Sequence, residues 1–179
     1  MKLLFTKKRL LIAGFFCLVI FLAYWPNRWN YIIIHHSAGD YGNIKTLQKI
    51  RKERQPIEPF EVIAYHYIIG NGNGMKDGEI ASDNRKKYNL WGVHVSESNW
   101  NINFTGLGIC LIGNLDKKQI TPKQYKSLLK KTSDLMEQYN IEIDNVLFHG
   151  KIKGESTKCP GKYFPYSKFK KDLSKNISL

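Results

Sequence analysis

Apolar residues run without a polar interruption from Leu10 to Trp25, with Lys7, Lys8 and Arg9 just before them. As a helix, that run would span on the order of 24 Å, a little less than a hydrocarbon core of about 30 Å. Three assignments fit it: an uncleaved signal anchor, a cleaved signal peptide, or a buried helix of a soluble fold. Its far end, Leu22-Ala23-Tyr24-Trp25-Pro26, offers no small-x-small cleavage site and puts Tyr24 and Trp25 where interfacial anchors sit. The expected organisation is an anchor and short spacer over residues 1–30, with a cytoplasmic N-terminus, and an exported domain over residues 31–179.

Past the spacer the hydrophobic period changes. Ile32, Ile33 and Ile34 are consecutive and β-branched, so Tyr31 to His36 reads as a strand buried on both faces. Ile44, Leu47 and Ile50 recur at helical spacing among Lys45, Lys49 and Lys52, which predicts a short amphipathic helix. Ala64 to Ile69, Leu107 to Ile112 and Asn145 to Phe148 are further strand-like runs. Asn71-Gly72-Asn73-Gly74 and Asp77-Gly78 are turn signals around a short return strand. Thr121-Pro122-Lys123-Gln124 carries helix-start chemistry: a Thr cap, Pro at the first helical position, and Gln three residues after the cap. Tyr125, Leu128, Leu129, Leu135, Met136 and Tyr139 then keep one face apolar to about Asn140, and a last helix is expected near Ser167 to Leu173. Residues 81–104 are polar with little period and read as a long loop, of the kind that is functional or disordered. The predicted fold is α/β, a single domain with a central mixed β-sheet flanked by helices.

Composition is that of an ordinary globular chain, with 42% hydrophobic and 24% charged residues. The net charge of +13 is spread unevenly. Lys2, Lys7, Lys8, Arg9 and Arg28 are the only charges before Tyr31, leaving 23 basic against 15 acidic residues, +8, for the body. Such a body suits an anionic partner: nucleic acid, an acidic lipid face, or an anionic polymer such as cell wall. No RNP-like aromatic motif or Cys/His finger spacing points to nucleic acid. The three cysteines, Cys17, Cys110 and Cys159, are too few and odd in number for a disulfide framework, and only Cys159 sits in a polar loop.

His35 and His149 each close a predicted strand, and Cys159 follows His149 by ten residues. Strand ends of one sheet can bring such groups together at one sheet edge. Two imidazoles and a thiolate suit zinc, and three protein ligands leave a fourth position open for catalysis. Neighbouring strand residues face opposite ways, so only one of His35 and His36 enters such a site; spacing does not say which.

Five segments carry a family resemblance: Ile33-Ile34-His35-His36-Ser37-Ala38, Ala64-Tyr65-His66-Tyr67-Ile68-Ile69, Gly106-Leu107-Gly108-Ile109-Cys110-Leu111-Ile112-Gly113, Phe148-His149, and Thr157-Lys158-Cys159-Pro160-Gly161. In this order the chain resembles the type 2 N-acetylmuramoyl-L-alanine amidases, a family that includes phage lysozyme-type amidases and peptidoglycan recognition proteins. The resemblance covers about Tyr31 to Phe164. It implies a zinc-dependent hydrolase of the amide between N-acetylmuramic acid and L-alanine in peptidoglycan or muropeptides. It also implies a metal held by His35, His149 and Cys159, leaving His36 outside, with Tyr65 as the active-site tyrosine. Thr157 stands where several relatives have lysine and offers a second donor in place of a fixed cation. His94 matches a loop histidine that lines the substrate groove, and the nearby Asn99, Trp100 and Asn103 have the chemistry for sugar stacking and amide bonding. Some relatives are non-catalytic recognition modules; these typically lose the cysteine that Cys159 retains. The implied location is the bacterial cell envelope, with the domain held outside the inner membrane by the N-terminal helix, or secreted after signal cleavage.

Overall fold

The three consecutive isoleucines do form a strand: Tyr31–His36 is β1, in a computed structural model that describes residues 12–19 and 23–177. With it stand β2 (Tyr67–Ile69), β3 (Ile80–Ser82), β4 (Gly106–Leu111) and β5 (Val146–Phe148). They form one sheet in the order β3-β2-β4-β1-β5. β1 pairs parallel with β4 and β5, β2 parallel with β4, and β3 antiparallel with β2. The sheet is mixed, as expected, with helices α1 (Ile44–Arg54), α2 (Asn84–Lys87), α3 (Trp100–Thr105), α4 (Pro122–Tyr139) and α5 (Tyr166–Ile177) around it.

Strand alternation divides the core. Ile32 and Ile34 of β1 and Leu107, Ile109 and Leu111 of β4 join Leu128 and Leu135 of α4 and Phe169 and Leu173 of α5 in the main cluster. On the other face Cys110 and Ile68 join Ile63 and Ile112 in a smaller cluster, with Leu47 of α1 and Tyr65 packed against it. His35 is in register with Cys110 and so belongs to this second face.

Local chemistry explains α4. Thr121 accepts from the Gln124 amide at 3.0 Å while the Gln124 side chain accepts from the Thr121 amide at 3.4 Å, a complete capping box. The same Gln124 is buried, and its Nε2 donates to Ile69 O and Ile112 O, fastening the helix start to the ends of β2 and β4.

The second strand is shorter than Ala64 to Ile69: the Ala64 carbonyl turns aside to accept from the Val93 amide, and the residue before it is held by side chains. The Ile63 amide donates to Asp83 Oδ2 at 2.6 Å and the Ile63 carbonyl accepts from Arg85 Nε at 2.6 Å, so regular pairing begins only at Tyr67. The return strand lies after the glycine turns, at β3, rather than between them. Residues 81–104 are not a structureless loop: they hold the end of β3, α2, a 3-10 turn at Glu97–Asn99, and α3.

Of the apolar run Leu10 to Trp25, residues 10, 11 and 20–22 lie outside the described residues. Residues 12–19 are helical, with Ile12, Phe15, Phe16, Leu18 and Val19 exposed. Among the described residues no helix is long and apolar enough to cross a membrane, so the expected spanning helix is not found among them. Arg28 and Trp29, expected in the spacer, are each 1% exposed. The Arg28 guanidinium lies between the Trp25 and Trp29 rings, at 4.1 and 3.9 Å, and donates to Phe104 O and Asn89 O.

Candidate metal centre and cleft

β1 and β5 run parallel, so their carboxyl ends lie together, which is where open α/β sheets hold ligands. His35 is the penultimate residue of β1 and His149 directly follows β5. The loop carrying Cys159 is drawn onto this end by the Gly150 amide, which donates to Cys159 O at 2.6 Å. Only glycine allows that approach, since a Cβ at position 150 would stand 2.3 Å from Thr157 O.

His35 Nδ1 lies 3.2 Å from His149 Nδ1 and 3.7 Å from Cys159 Sγ, and the three ligand atoms all fall within 4.8 Å of one another. Around a tetrahedral zinc with bonds of about 2.0–2.1 Å to nitrogen and 2.3 Å to sulfur, such atoms stand roughly 3.3–3.6 Å apart. The donor set suits zinc, and the two separations from His35 come close to that geometry. Burial, reinforced by the neighbouring imidazoles of His94, His149 and His36, holds the His35 pKa well below its usual value, which keeps the ring neutral. Burial pushes the Cys159 thiol up to about 12, against a hydrogen bond from the His36 amide. A thiolate at this position needs a cation beside it.

His36 faces the other way. Its Nδ1 accepts from the Leu115 amide at 3.0 Å, a structural role. His66 is equally committed: it accepts from the Gly108 amide and its other nitrogen meets Leu90 O, each at 3.0 Å.

Glu155, which sequence reading overlooked, completes the surroundings. Its Oε2 lies 3.1 Å from His149 Nε2, and the carboxylate side chain is 6% exposed. Its Oε1 accepts from the Ser96 amide at 2.9 Å, the Ser96 hydroxyl at 2.6 Å and Asn99 Nδ2 at 2.7 Å. Burial opposes ionisation of Glu155, but these hydrogen bonds outweigh it and hold the pKa down to about 2. The signal available in the sequence was a lone acid between two candidate ligands, in a stretch otherwise marked by Lys151, Lys153 and Lys158.

A cleft of about 410 Å³ opens beside the centre, lined by Tyr65, His94, His149, Glu155, Arg51 and Arg54 among others. The Tyr65 ring is 4.9 Å from the His35 ring. Burial, with the Cys110 and Cys159 thiols nearby, holds its pKa well above the usual value, so it remains an O–H donor. His94 lies 5.1 Å from His35 and is buried against two glycines. A Cβ at Gly92 would stand 2.0 Å from its Nε2, and one at Gly108 would stand 2.9 Å from its Cδ2.

The other expected site residues lie outside the lining of the Tyr65 cleft. Thr157 is exposed and lines an adjoining hollow of about 550 Å³ with Cys159, Lys117, Lys151, Lys158 and Lys162, while its hydroxyl accepts from the Cys159 amide. Trp100 is 68% exposed and outside the lining of the Tyr65 cleft. Asn103 spends its amide on the cleft wall: Oδ1 accepts from the His94 and Val95 amides, and Nδ2 donates to Val95 O. It holds the His94 segment in place from behind.

Comparison with known proteins identifies the family and the fold. The family model for N-acetylmuramoyl-L-alanine amidase matches residues 25–162. Peptidoglycan-recognition protein SC2 of Drosophila melanogaster is 27% identical over 140 residues, covering 75% of this chain and 70% of that protein. The N-acetylmuramoyl-L-alanine amidase LysC from Clostridium intestinale URNW is 27% identical with a TM-score of 0.68, over 84% of this chain and 88% of that one. A Drosophila PGRP-LB mutant in complex with tracheal cytotoxin shares the fold, at 19% identity and a TM-score of 0.57, over 78% of this chain and 79% of that one.

Proposed function

The chain belongs to the N-acetylmuramoyl-L-alanine amidase family, and from that premise we propose that it is a zinc-dependent amidase cleaving the bond between N-acetylmuramic acid and L-alanine in peptidoglycan or its fragments. The convergence of His35, His149 and Cys159 at the carboxyl end of the sheet, beside a Tyr65 that remains protonated, carries the proposal.

Zinc held there would supply a Lewis acid for the scissile carbonyl and lower the pKa of the attacking water toward about 7. The chain's own residues do the rest. The neutral His35 ring presents a lone pair rather than a charge. Tyr65 lines the cleft and would offer its hydroxyl, which also meets the Cys110 thiol, to the oxyanion that develops as the carbonyl is attacked. Arg51 and Arg54 on the cleft wall suit the carboxylates of a peptide stem. Thr157, in the adjoining hollow that Cys159 also lines, would offer a second donor.

A non-catalytic recognition module is the second reading, since the relatives include recognition proteins. Retention of the complete ligand set favours the enzyme. The test is to measure zinc in the purified full chain and assay release of stem peptides from peptidoglycan and from muropeptides. Stoichiometric zinc without cleavage of any of them would falsify the enzyme reading in favour of recognition.

For location, the reading is attachment of the domain to the outer face of a bacterial inner membrane. It is supported by Lys7, Lys8 and Arg9 before the apolar run and by the exposed apolar side chains of residues 12–19. Fractionation of a C-terminally tagged chain decides it: a membrane-bound product of full mass agrees, and a shortened soluble one points to a secreted form.

A further inference from the structure

The centre has one carboxylate that touches both a candidate ligand and the cleft wall. Glu155 meets His149 Nε2 with one oxygen and gathers Ser96 N, Ser96 Oγ and Asn99 Nδ2 on the other. Short backbone turns set it there: the Ile152 amide donates to His149 O and the Glu155 amide to Ile152 O. Asn99 also donates to Lys153 O, so the 96–99 turn and the 153–155 loop are joined at two points. His35 has no such support, because its Nε2 is buried without a partner.

We infer that Glu155 is a positioning residue that couples metal occupancy to the order of the cleft wall at residues 96–99. The inference rests on the reading that His35, His149 and Cys159 hold zinc. A carboxylate acceptor fixes His149 as the Nε2–H tautomer and leaves the Nδ1 lone pair for the metal. Ionised Glu155 accepts only, so all four donors are served at once. Zinc on Nδ1 makes the Nε2–H a stronger donor, tightening the carboxylate that pins Ser96 and Asn99. By linkage, a pinned wall raises zinc affinity in return.

Glutamine at this position separates the two halves. Its single oxygen can serve the wall or His149, and an amide NH₂ facing Nε2 favours the tautomer that protonates Nδ1. The experiment uses the full chain as wild type, Glu155→Gln and Ser96→Ala. Zinc affinity is read by competition with a chromogenic chelator, and hydrogen exchange is followed over residues 94–100 with and without zinc.

Wild type is expected to bind one zinc and to show slower exchange over 94–100 when loaded. Glu155→Gln should weaken zinc roughly 10–100-fold and abolish that slowing. Ser96→Ala, which does not touch His149, should weaken zinc in the same direction by less. Zinc affinity unchanged in Glu155→Gln overturns the inference and leaves the metal reading intact, as does exchange over 94–100 that ignores zinc in the wild type. A wild type that binds no zinc overturns the metal reading and the coupling with it.

Discussion

Buried Arg85 ties Ile63, on the cleft wall, to Trp91 and Glu58, and replacing it with methionine measures that tie. The residue lies in the four-residue helix α2, and its side chain is 2% exposed. Nε donates to Ile63 O at 2.6 Å, one terminal nitrogen to Trp91 O at 2.5 Å, and the other to Glu58 Oε1 at 2.8 Å. Arg85→Met keeps the apolar stem and removes every donor. Breaking a buried ion pair from one side costs about 3–5 kcal/mol. Glu58 would retain Arg51 at 2.6 Å, so its charge is not abandoned and the lower end applies. Two carbonyls that lose their donors add to that only in part, because the guanidinium no longer has to leave water. The expected loss is about 3 kcal/mol, which in a domain of this size lowers Tm by roughly 6–12 °C. Thermal and urea unfolding of the chelator-treated full chain reads it directly. Arg51→Met is the control: it shares Glu58 but is 18% exposed, and should cost under about 1 kcal/mol. Equal losses in the two variants, or a loss under about 1 kcal/mol for Arg85→Met, would refute the claim that Arg85 fastens Ile63 to Trp91.

Three further outcomes follow from the geometry. Tyr65→Phe should keep zinc while the cleavage rate falls about 10²–10³-fold, the usual worth of one oxyanion donor; an unchanged rate removes Tyr65 from the chemistry. Gly92→Ala sets a Cβ against the His94 ring and should destabilise by about 1–3 kcal/mol, so unfolding within experimental error of wild type contradicts the packing described. Burial holds His94 at about 3 and His66 well below its usual value. The unfolded chain therefore binds more protons, and stability of the metal-free protein should be complete above about pH 6.5 and decline as pH falls below it. Urea midpoints from pH 7.5 to 5 measure the slope; a flat profile, or one that His94→Asn leaves as steep, counts against buried neutral histidines.

Much of the fold was legible because its causes are local. Three adjacent isoleucines make a strand wherever two faces are covered, and Thr121, Pro122 and Gln124 start α4 with groups three residues apart. The segment 81–104 was not legible, because its short elements are held from outside. Asp83 and Arg85 bond Ile63, some twenty residues earlier in the chain, and Asn103 bonds the 94–95 backbone across a turn. Hydrophobic period carries no trace of such bonds.

The metal trio divides along the same line. Residue type and strand endings in the sequence already nominated His35 or His36, His149 and Cys159, because ligand chemistry belongs to the side chain itself. The family resemblance chose His35 of the pair, and the fold supplies the physical reason: His36 turns to the Leu115 amide, and His35 to His149 and Cys159. The role of Glu155 was decided wholly by tertiary structure. A carboxylate in a loop takes whatever donors the fold brings within about 3 Å, and here those come from His149 on one side and from Ser96 and Asn99, more than fifty residues away in sequence, on the other.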